Sequence, residues 1–96
     1  MEFNVLGDIP KFADIAALLG EEVEGLPLIE QARLSVEAVK DLMADIDMPR
    51  SLSELNVPSE AIPRLAEAAI KVTRLLANNP RNVTVKDAIG IFEEAL

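Results

Sequence analysis

Apolar residues recur along this chain at three- and four-residue steps and not in strict alternation, the spacing of one face of an α-helix. Phe12, Ile15, Ala16 and Leu19 form the first such stripe. Asp8 stands before it as an N-cap, Pro10 suits a first turn and Gly20 supplies a left-handed end, so a helix is predicted over residues 10–19. A second helix is predicted over residues 28–46, with Ile29, Ala32, Val36, Val39, Met43 and Ile46 as a buried seam and Arg33 and Glu37 facing outward. Leu34, Ala38 and Leu42 widen that seam beyond a coiled-coil stripe, which favours a core helix over a partner-binding zipper. The helix must end before Pro49, because a proline pushes the preceding residue out of helical geometry.

Ser51 and Glu54 have capping-box spacing around a single turn, and residues 58–60 open another. A long helix is then predicted over residues 62–77, with Ile62, Leu65, Ala66, Ala69, Val72, Thr73 and Leu76 on its inner face and Glu67 paired to Lys71 one turn on. Residues 78–82 (NNPRN) break the pattern, and Thr84 with Asp87 caps a last helix that buries Val85, Ala88, Ile89, Phe92 and Leu96. Gly90 lies inside that helix and suggests a close helix approach. The fold class is therefore all-α, a bundle of about four to five helices, with no internal repeat and no linker to divide residues 1–96 into more than one domain.

Composition narrows the chemistry. Half the residues are apolar, yet there are only three aromatics, Phe3, Phe12 and Phe92, so small aliphatic side chains must build the core. Without Cys there is no thiolate nucleophile, thiolate metal site or disulfide, and without His the commonest general base and transition-metal ligand is missing. The acidic stretch at residues 21–25 (EEVEG) lacks the ligand spacing of a calcium loop. Asp41 and Asp45 lack the Glu-x-x-His partners of a helical di-iron site and read as surface charge. A net charge of −8 argues against a nucleic-acid surface. It is uneven: residues 1–60 carry 13 Asp and Glu against 4 Lys and Arg, while the remainder is close to neutral. No stretch suits a signal peptide or a membrane span, so a cytoplasmic location is expected.

Several stretches taken in order, MEFN at 1–4, KFADIAALLG at 11–20, EGL at 24–26, MPRSLSELNV at 48–57, IPRLAEAAI at 62–70 and NNPRNVTVKDAIGIFEEAL at 78–96, resemble the C-terminal part of iron-containing (group III) alcohol dehydrogenases. The resemblance covers essentially the whole chain. It implies the distal part of a dehydroquinate-synthase-like helical domain, as a fragment or a split gene product, within an enzyme that uses divalent iron (or zinc) and NAD(P). In the family a Rossmann-like half binds the nicotinamide, and an Asp and three His on helices upstream of the MEFN-like segment hold the metal. Nothing here matches those positions, so no catalytic, cofactor-binding or metal residue carries over, and the isolated chain is expected to be inactive and free of cofactor.

Two further expectations concern ligands and partners. Arg74, Asn79, Arg81 and Thr84 surround the start of the last helix, where free amides and positive charge would attract an anion near the family's cleft; a plain connector with a capping box explains the same residues. Met1, Phe3, Val5 and Leu6 mark the end on which the resemblance places the upstream helices, so an apolar patch is expected there, with self-association as a homodimer through it. The rival to the dehydrogenase reading is a free-standing helical module that takes a partner helix in an apolar groove. Neither reading involves nucleic acid or membrane.

Overall fold

The computed structural model describes residues 1–96 throughout and contains helices and no strand. The all-α class follows. The chain forms two compact units, residues 1–48 and residues 49–96.

The first unit is a helical hairpin preceded by a short 3-10 helix, Glu2–Gly7. Helix α1, Ile9–Leu18, starts where the Asp8 side chain accepts the Lys11 amide at 3.3 Å, with Pro10 in the first turn, where no amide is needed. It ends because Gly20 turns left-handed, φ +91°. The amide of Glu21 then reaches the Ala16 carbonyl and that of Gly20 the Ala17 carbonyl, the double closure of a Schellman motif. Helix α2, Leu28–Asp45, ends in the same motif: Met48 donates to Met43 and Asp47 to Ala44. Its left-handed residue is Asp47, φ 56°, not a glycine. Asp tolerates that conformation better than most side chains, but its charge sits at the negative end of the helix dipole. Val5, Ala13, Ala32 and Val36 form the buried centre of this unit, with Ile9, Phe12 and Ile29 packed around it.

The predicted stripes are displaced in part. Leu19 and Ile46 are exposed, because each is the C-cap of its helix, one residue past the last packed turn. Ala13 and Ser35 are buried although they lie outside the predicted seams, while Ala38, on the widened face of the second helix, is buried as expected. Ser35 is tolerated there because its hydroxyl donates to the Ala32 carbonyl at 2.6 Å.

The second unit opens with two 3-10 turns, Ser53–Leu55 and Ser59–Ala61, followed by α3, Ile62–Ile70, α4, Thr73–Leu76, and α5, Val85–Ala95. Ser51 and Glu54 do cap the first turn, but the Glu54 carboxylate takes the amide of Arg50 at 2.7 Å, one residue before the expected partner. Helix α3 packs on α5 over Ile62, Ala66 and Ala88. The end of α5 is held from a distance in sequence, since Leu52 and Ser53 donate to the carbonyls of Ala95 and Leu96 at 2.7 and 3.0 Å. Those two bonds satisfy acceptors that a helix C-terminus otherwise leaves open.

The predicted long helix over 62–77 is two pieces. Lys71 and Val72 donate to carbonyls three residues back, and Val72 turns out of helical geometry at ψ 65°. Val72 and Thr73 are consecutive β-branched residues and weak helix formers. No burial compensates them, for Leu65, Val72 and Thr73 are all exposed. The Glu67–Lys71 pair does not form, whereas Lys11 pairs with Asp8 and Lys40 with Glu37 at 3.7 Å on the surface. Gly90 permits no close approach either, because a Cβ built there meets nothing within 4 Å. Gly90→Ala should therefore stabilise the chain by roughly 1 kcal/mol through helix propensity alone. A thermal melt should show a midpoint higher by about 4–8 °C, and an unchanged or lower midpoint would contradict the open environment.

Candidate functional site

The segment from α4 to the first turn of α5 holds the residues singled out for anion binding. Asn79 is half-buried, and its side-chain amide donates to the Arg81 carbonyl at 2.7 Å, which fixes the turn around Pro80. Arg74 is exposed one turn earlier and offers its carbonyl to the Asn78 side chain at 3.4 Å. The structure thus joins Asn79 to Arg81 and Asn78 to Arg74.

Thr84 is committed elsewhere. Its hydroxyl accepts the Asp87 amide at 3.2 Å, and its own amide and hydroxyl both donate to Asp87 Oδ2, at 3.0 and 2.9 Å. This reciprocal capping box is the one expected from the sequence. It has a consequence for ligands: the helix start already holds an anion, the chain's own carboxylate. Hydrogen bonds from the Thr84 amide and hydroxyl hold the Asp87 carboxyl below its ordinary value of 3.8, and the charges of Arg81 and Lys86 act in the same direction. An incoming anion would meet that negative charge before it met the amides.

The first unit carries an open groove of about 530 Å³ between its 3-10 helix and α2. Val5, Leu6, Leu34 and Val36 give it apolar walls, and Glu2, Glu30, Arg33 and Glu37 line it with charge. Of the four residues expected to form an apolar end patch, Val5 is buried and Phe3 and its neighbour Asn4 are half-buried, which leaves Met1 and Leu6 open. Asp41 and Asp45 are exposed surface charges. Nowhere do three His, Cys, Asp or Glu side chains converge as a metal would require, and the chain has no His or Cys at all. These residues do not fit iron, and no glycine-rich turn opens a helix as a nicotinamide pyrophosphate site needs. No helix is long and apolar enough to cross a membrane.

The model of the Fe-containing alcohol dehydrogenase family, C-terminal, matches residues 1–96. Among curated relatives, the 1,3-propanediol dehydrogenase of Citrobacter freundii is 37% identical over 93 residues, which is 97% of this chain and 24% of that protein. The lactaldehyde reductase of Escherichia coli K12 is 36% identical over 95 residues, 99% of this chain and 25% of that protein. The solved alcohol dehydrogenase from Oenococcus oeni superposes with a TM-score of 0.92 at 35% identity, over 99% of this chain and 24% of that one. The chain thus spans about a quarter of the length of the relatives it matches.

The capping box makes a prediction about acid stability. A carboxyl whose folded pKa is lowered contributes stability that is present above its ordinary value and is lost as pH falls through the lowered one. Thr84→Ala should remove the box, cost about 1 kcal/mol as lost caps do, and let the Asp87 carboxyl titrate back up towards 3.8. Carboxyl NMR titration of the two proteins reads this directly, and an unmoved Asp87 would contradict the assignment.

Proposed function

The chain belongs to the iron-containing alcohol dehydrogenase family, and from that membership we propose that it is the C-terminal helical segment of an NAD(P)-linked, iron-dependent oxidoreductase, contributing packing and inactive alone. The observation that carries this reading is its agreement along nearly its whole length with one quarter of a solved alcohol dehydrogenase. In the complete enzyme the reaction is hydride exchange between an alcohol and a nicotinamide. The groups that touch either reactant are supplied by the other three quarters, since the residues here fit neither iron nor a dinucleotide. We place the enzyme in the cytoplasm, and the two units of this chain within one larger helical domain.

The work assigned to the chain is mechanical. Its helices offer surfaces on which metal-bearing helices are seated, and holding a reacting centre to within about 0.5 Å depends on such support. The turn at Asn79, Pro80 and Arg81 we read as a connector, because Asp87 already fills the helix start beside it.

Grafting tests the assignment. Replacing the matching quarter of the Citrobacter freundii 1,3-propanediol dehydrogenase with this chain should leave 1,3-propanediol oxidation within about tenfold of the parent, a barrier change near 1.4 kcal/mol. A chimera that is soluble and folded but inactive would overturn the proposal.

A further inference from the structure

We draw no further inference here: the strongest candidate, the open groove of about 530 Å³ between the 3-10 helix Glu2–Gly7 and α2, walled by Leu6 and Leu34 beside Glu30 and Arg33, carries none because nothing in the structure shows what covers it in a chain that spans about a quarter of its relatives' length.

Discussion

The core of this chain is made of methyl groups, and the rest of the structure follows from that. Six of its nine buried apolar residues are alanines: Ala13, Ala16, Ala32, Ala38, Ala66 and Ala88. An alanine is buried only if the backbone facing it comes close, so these positions draw α1 onto α2 and α3 onto α5. The gain is modest, about 0.8 kcal/mol for each methyl-sized group against 1.5–3 kcal/mol for a whole leucine. The large aliphatics that would add more, Leu18, Leu42, Ile46 and Leu75 among them, are on the outside. A chain with that distribution folds locally by capping and close helix contact and leaves many of its large aliphatic side chains exposed.

Local chemistry compensates for the thin core. Schellman closures end α1 and α2, and the same closure shapes the Ser53–Leu55 turn, where Val57 donates to Leu52 and left-handed Asn56 to Ser53. Asp8 and Thr84 cap the starts of α1 and α5. The amides of Leu52 and Ser53 on the carbonyls of Ala95 and Leu96 bind the two ends of the second unit. Each is a short-range device whose strength does not rely on a deep interior.

This division explains what was legible in the sequence. Asp8, Gly20 and the Thr84–Asp87 box are local signals, and the structure contains them as read. Periodicity gave the existence of the helices but not which stripe is buried. With so many apolar positions a helix can have more than one greasy face, and packing chose Ala13 and Ser35 over Leu19 and Ile46. The break at Val72 was hidden for the same reason, since an unbroken 3.6-residue pattern ran through a segment that no neighbour buries. For the anion expectation, the sequence named the residues but not the occupant: the Asp87 carboxylate seen as half of a cap is also the charge an incoming anion would have to displace.

A segment that supplies packing and no chemistry differs from a small enzyme in one property that belongs to the chain alone, its ability to hold a metal. Absence of His and Cys, with carboxylates that never converge in threes, leaves iron no site of three protein ligands. Loading the pure chain with ferrous iron under anaerobic conditions, dialysing exhaustively and measuring metal by mass spectrometry tests this most directly. The account predicts iron far below one ion per chain; one tightly held ion per chain would contradict it.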